Sequence, residues 1–202
     1  MKKIRVGIFG GTFNPPHSGH VAAAESFYKT VKPDVLMIIP DCLPPHKEYS
    51  GSVTEEQRLE MCKLAFGHIE NVTISDMEIK RGGRSYTSVT LEELTSPDRE
   101  LYFLCGTDMF LTLESWYRPE VIFDLATICY IRRETDKEND ARIKVATQSY
   151  IKQYGASIVS VSTDVIELSS SELRQKLESR ESCSEYLPTA VEKYIVEKGI
   201  YK

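Results

Sequence analysis

Two histidines three residues apart, His17 and His20, follow a pair of glycines in the run Gly10-Gly-Thr-Phe-Asn-Pro-Pro-His-Ser-Gly-His20. On a helix that spacing places both imidazoles on one face, where they can meet a single ligand. Gly10 and Gly11 lack a Cβ, so the backbone there can come close to a bound group. Pro15 keeps Asn14 out of the helical region and presets its own φ, which predicts a helix starting at Pro15 with Asn14 as its cap. Unpaired N–H groups and the positive dipole end would then face an anion, and the pattern reads as a phosphate site. A zinc half-site is the competing chemistry, but no C-x-x-C, H-E-x-x-H or suitably spaced third ligand accompanies the pair.

A second anion element lies far along the chain, in Leu168-Ser-Ser-Ser-Glu-Leu-Arg174. Ser169 and Glu172 have capping-box spacing, which puts Ser170 and Ser171 in the first helical turn and Arg174 one turn later. Backbone N–H groups, two hydroxyls and a guanidinium can converge there on one anion.

Alternating strands and helices must position these residues. Ile4 to Phe9 reads as the first strand, and His17 to about Thr30 carries the first helix with Val21, Ala24, Phe27 and Tyr28 inward. Asp34 to Pro40 is an apolar run suited to a strand buried on both faces. A proline-rich loop over 41–48 follows, and Thr54 with Gln57 caps a second helix through about Phe66, with Leu59, Cys62 and Phe66 inward. Val72 to Ser75 is a short third strand. The glycines at 82 and 83 lead into a helix from about Thr87 to Leu94. Glu100 to Cys105 is the fourth strand, and Gly106-Thr-Asp108 turns it into a helix start. A fifth strand lies within Phe123 to Ile131, a charged loop covers 132–140, and Ile158 to Val161 forms a sixth strand. Pro188 starts a last helix that Gly199 stops. The alternation predicts an α/β, Rossmann-like parallel sheet with helices on both faces, as one domain over 1–202 whose C-terminal part, about 169–202, is helical. Ligands of such sheets bind at the carboxyl ends of the strands.

A formal net charge of −5 and a pI near 5.5 argue against general nucleic-acid binding, which needs a clustered basic face. Local cations (Lys80, Arg81, Arg84, Arg132, Arg133 and Arg174) can still meet a small anion. Five cysteines with no C-x-x-C pair fit a reducing compartment, and the chain reads as cytoplasmic. Met-Lys-Lys runs straight into a strand and does not read as a signal peptide, and no apolar run is long enough for a membrane span.

The two anion elements together resemble the H-x-G-H and S-S-x-x-x-R signatures of the nucleotidylyltransferase superfamily, and the chain is most similar to its bacterial nicotinate-nucleotide adenylyltransferase branch. Pro-Pro-His-Lys at 44–47, Ser-Tyr-Thr at 85–87, Gly-Thr-Asp at 106–108, Trp116, Leu187-Pro and Tyr194-Ile extend the resemblance over nearly the whole length. Asn14 departs from it, standing where that family usually has Asp. The resemblance implies AMP transfer from ATP to nicotinate mononucleotide, with Mg²⁺ carried on the ATP phosphates. It assigns catalysis to His17, His20 and Arg174. ATP falls to Gly10, Gly11, Thr12, Phe13, Gly106, Asp108, Ser170 and Ser171, and the acceptor to Lys47, Tyr86, Thr87, Trp116 and Arg132, with no protein-held metal. Alternatives are another acceptor (nicotinamide mononucleotide, phosphopantetheine or a cytidylyl acceptor) and an ATP-sensing module without turnover; the sequence leaves self-association open.

Overall fold

Apolar runs bounded by proline and glycine form the strands of one sheet in a computed structural model that describes residues 2–44, 53–133, 139–163 and 169–201. The strands are β1 (Ile4–Gly11), β2 (Val35–Pro40), β3 (Val72–Ile74), β4 (Arg99–Gly106), β5 (Ala126–Arg133) and β6 (Ile158–Thr163). They pair in the order β3-β2-β1-β4-β5-β6, every neighbour parallel. The expected α/β parallel sheet is therefore present, and the strand order reverses between β1 and β4. At such a reversal, sheets of this kind bind ligands outside the strands' carboxyl ends.

The helices are α1 (Ser18–Val31), α2 (Glu55–Phe66), α3 (Met77–Arg81), α4 (Thr87–Leu94), α5 (Thr107–Phe110), α6 (Pro119–Leu125), α7 (Asp140–Tyr154), α8 (Ser170–Glu178) and α9 (Thr189–Lys198). Alternation along β1 divides the core between two faces. Phe9 joins Phe27, Phe66, Leu173 and Val191 in one cluster, while Val6 and Ile8 join Leu91, Phe103, Phe123 and Tyr150 in the other. Each large apolar side chain buried this way contributes roughly 1.5–3 kcal/mol, so both layers hold the sheet.

Three expectations shift. The inward face of α2 carries Met61, Cys62, Ala65 and Phe66, with Leu59 only half-buried and Arg58 buried in its place. The fifth strand starts at Ala126, within the expected span, but Arg132 and Arg133, expected in the charged loop, extend it. Asp140 opens a fifteen-residue helix where the charged loop was expected to end.

Candidate active site

The loop after β1 takes its shape from Phe13 rather than from its glycines. Phe13 has φ 46°, in the left-handed region, while neither Gly10 nor Gly11 has a positive φ. Its buried ring meets Phe9 and Phe66 edge-on at centroid distances of 5.4 and 5.5 Å. A Cβ on Gly11 would lie 3.1 Å from that ring, so glycine here makes room for Phe13. The helix begins later than the capping pattern predicts, at Ser18 with His17 as the cap, and Asn14–Pro15 is a cis peptide within the loop. Pro16 supplies the reason: a residue before proline is driven out of the helical region, so Pro15 cannot open a helix.

Asn14 is buried and serves the loop instead. Its side-chain oxygen accepts from the Tyr201 hydroxyl, and its backbone carbonyl accepts from Arg174 Nη1 at 2.8 Å. The two histidine rings lie one above the other, centroids 3.7 Å apart and planes tilted by 34°. His20 Nδ1 accepts the backbone N–H of His17 at 3.2 Å. That bond leaves the ring hydrogen of neutral His20 on Nε2, as a donor. The edge of Phe13, 5.2 Å away between centroids, braces the His20 ring.

The second anion element docks on this loop. Ser169 Oγ accepts from the Glu172 N–H at 3.1 Å, and the Glu172 carboxylate accepts from the Ser169 N–H at 2.8 Å, closing the expected capping box. The Ser169 backbone N–H and then its hydroxyl hold the Glu172 carboxyl below the usual range. From the first turns of α8, Ser170 Oγ donates to the Pro15 carbonyl at 3.3 Å, and Arg174 Nη2 donates to Ser171 Oγ at 3.1 Å. The structure therefore brings Ser170, Ser171 and Arg174 against the loop that carries His17 and His20.

Across the reversal point, Gly106 ends β4 and caps α5, exposed and with nothing within 4 Å of where a Cβ would stand. A ligand can lie directly on that backbone. Asp108, two residues further on, is exposed. Tyr86 caps α4 and Thr87 begins it. This segment is anchored to the end of β2, because the Ser85 N–H donates to the Leu43 carbonyl at 2.9 Å and Ser85 Oγ accepts the Cys42 N–H at 2.9 Å. The Tyr86 ring lies 4.5 Å from that of Tyr117, a partner that the sequence reading does not identify; neither composition nor spacing marks it. Trp116 is half-buried with its ring edge-on to Phe103. Arg132 stands at the end of β5, bound through Nη2 to both carboxylate oxygens of Asp140 at 3.1 Å. Lys47 lies outside the described residues. Asp41 and Arg58, also absent from the sequence reading, meet behind the β1 loop.

Among the described residues, no group of three or more His, Cys, Asp and Glu could hold a metal ion, and no helix is long and apolar enough to cross a membrane.

A parallel sheet with the loop of His17 and His20 at its reversal point, and α8 docked on that loop, defines a Rossmann-like α/β protein. The chain belongs to the cytidylyltransferase-like family, which matches residues 8–176. A relative from Lachnoclostridium phytofermentans, named "Probable nicotinate-nucleotide adenylyltransferase", is 37% identical over 98% of both chains. One of the same name from Bacillus cytotoxicus is 34% identical over the full length of both. The solved nicotinic acid mononucleotide adenylyltransferase of Plasmodium falciparum, complexed with NaAD, shares the fold with a TM-score of 0.77, at 16% identity over 98% of this chain and 97% of its own.

Proposed function

We propose that this protein transfers AMP from ATP to nicotinate mononucleotide, forming deamido-NAD and pyrophosphate in NAD biosynthesis. The full-length relatives at 34–37% identity support the activity by name. The observation that supports the mechanism is the docking of Arg174 and Ser170 on the carbonyls of Asn14 and Pro15, which brings together the two elements read as anion-binding.

An oxygen of the mononucleotide's 5′-phosphate attacks the α-phosphorus of ATP, the bond from that phosphorus to the bridging oxygen breaks, and pyrophosphate leaves. Such transfer asks the protein for position and charge stabilisation, not for a covalent nucleophile. His20 Nε2–H and His17 meet the α-phosphate, beside the backbone of Gly10, Gly11, Thr12 and Phe13. Ser170, Ser171 and Arg174 hold the β and γ phosphates; Arg174 has five N–H donors, of which one already ties it to the Asn14 carbonyl of the loop and another to Ser171 within α8. Gly106 and Asp108 receive the adenosine. Tyr86, Thr87 and Trp116, with Lys47 and Arg132, receive the nicotinate nucleotide.

Mg²⁺ arrives in this reading on the ATP phosphates and keeps several of its waters, as is usual for this ion. When bound, the ion neutralises phosphate charge. Five buried, unpaired cysteines support a reducing, cytosolic setting.

Pyrophosphate release from MgATP, with nicotinate and nicotinamide mononucleotide compared as acceptors, tests the reading. Preference for the acid supports it. Equal use of both redefines the acceptor, and no release with either overturns it.

A further inference from the structure

The least expected side chain in the molecule is that of Arg58, which has no solvent exposure although it rises from α2 among apolar neighbours. A guanidinium stripped of water is costly unless its donors are met. Here Nη1 donates to the Thr12 carbonyl at 2.9 Å and to Asp41 Oδ1 at 3.1 Å, and Nη2 donates to the Asp41 carbonyl at 2.6 Å. Thr12 Oγ1 closes the ring by donating to Asp41 Oδ2 at 2.7 Å. Packing alone does not call for this group, because Met61, Cys62, Ala65 and Phe66 fill the rest of the same buried face with apolar atoms.

What the ring holds is informative. Thr12 belongs to the loop that leads to His17 and His20. Asp41 directly follows β2, and its N–H extends the ladder to the Gly11 carbonyl at 3.0 Å. The next two residues grip a different loop: the Cys42 N–H donates to Ser85 Oγ, and Leu43 bridges Arg84 and accepts from the Ser85 N–H. Residues 41–43 are thus bonded to Thr12 on one side and to Ser85, two residues before Thr87, on the other.

We infer that Asp41, locked by the buried Arg58, is a positioning residue that fixes the ATP loop relative to the acceptor loop. The inference rests on the adenylyl-transfer reading given above, which puts the two reactants on those loops. In-line attack needs the reacting atoms about 3–3.5 Å apart, and a misplacement of about 1 Å can cost on the order of 100-fold in rate. Each loop keeps its own contacts to its own substrate when the tie is cut, so binding survives and alignment does not. Loss of rate with little change in KM is the signature of an interaction made in the transition state alone.

Steady-state kinetics on Asp41→Asn, Ser85→Ala and the double variant tests this, with Thr12→Val as the milder donor-side change should Asp41→Asn fail to fold. The expected result is a fall in kcat of about 10-fold or more for each single variant, with KM for ATP and for nicotinate mononucleotide both within about threefold of wild type. Cutting one tie at either end has the same effect, so the double variant should fall well short of the product of the singles. Multiplying effects, a raised KM with kcat unchanged, or a lowered melting temperature with normal kinetics would each overturn the inference while wild-type turnover leaves the adenylyl-transfer reading standing. If wild type itself releases no pyrophosphate, the reading fails and the inference falls with it.

Discussion

Arg174 and Asn14, 160 residues apart in sequence, are joined by a 2.8 Å hydrogen bond from the guanidinium to the backbone carbonyl. The bond holds a cation of α8 over the loop that leads to the histidines before any phosphate arrives. Replacing Arg174 with Ala removes a charge-assisted donor set of about 1.5–3 kcal/mol, so kcat/KM for ATP should fall by roughly 10- to 100-fold. KM for the acceptor should stay put. Lys at this position restores charge but not the fork, and should recover only part of the loss. Wild-type ATP kinetics in Arg174→Ala would remove α8 from the site.

His20 presents an Nε2 donor because its Nδ1 is bonded to the His17 N–H. Losing one such preorganised donor typically costs about 100- to 1,000-fold in kcat. His20→Ala should show that fall while its circular dichroism and melting curve stay close to wild type, since the ring is only half-buried. Turnover near the wild-type rate would refute the role given to this imidazole.

Tyr201→Phe tests the loop's second anchor by deleting a single oxygen. The hydroxyl donates to the buried side chain of Asn14, and losing a buried partner costs about 1–3 kcal/mol. Denaturant unfolding should reveal an unfolding free energy lower by that amount, seen as a lowered midpoint at unchanged slope. A variant as stable as wild type would mean that other contacts hold Asn14 in place.

Glu78 offers a pH test. Burial pushes its carboxyl above the ordinary value of 4.5, against the opposing pull of Thr90, Ser85 and Arg81. A raised carboxyl binds its proton more tightly folded than unfolded, so wild-type stability falls as pH climbs from about that value through the folded one. Glu78→Gln cannot titrate there. Its melting temperature relative to wild type should therefore rise over the same interval, and a difference that is flat in pH would show that Glu78 is not desolvated as described.

The strands were legible because Val35–Pro40 and Arg99–Gly106 are apolar runs with clear punctuation, and period alone suffices for a strand buried on both faces. The capping boxes at Thr54 and Ser169 were legible for a similar reason: both bonds are local. The start of α1 is not legible locally, because Asn14 and Pro15 look like a cap and first turn until the effect of Pro16 is added. α7 lacks a clear sequence signal because its apolar residues do not keep to one face: Ile143 and Tyr150 are buried while Val145 and Ile151 are exposed. Arg58 and Asp41 could not be seen at all. An arginine in a capped helix reads as solvated, and only the sheet brings Thr12, Asp41 and α2 together.

The anchors of residues 12–18 have a consequence for how the protein is made. Thr12 waits for Asp41 and Arg58, whereas Asn14, Pro15 and Ser18 wait for Arg174, Tyr201, Ser170 and Tyr186. During synthesis β1 leaves the ribosome well before α8 and α9, so the contacts of residues 14–18, and the Leu173 and Val191 side chains that cover Phe9, are missing until residues 170–201 have followed. Long-range closure of this kind comes late in folding. A chain translated only as far as α7 therefore carries His17 and His20 on a loop that still lacks its Arg174, Ser170, Tyr186 and Tyr201 anchors.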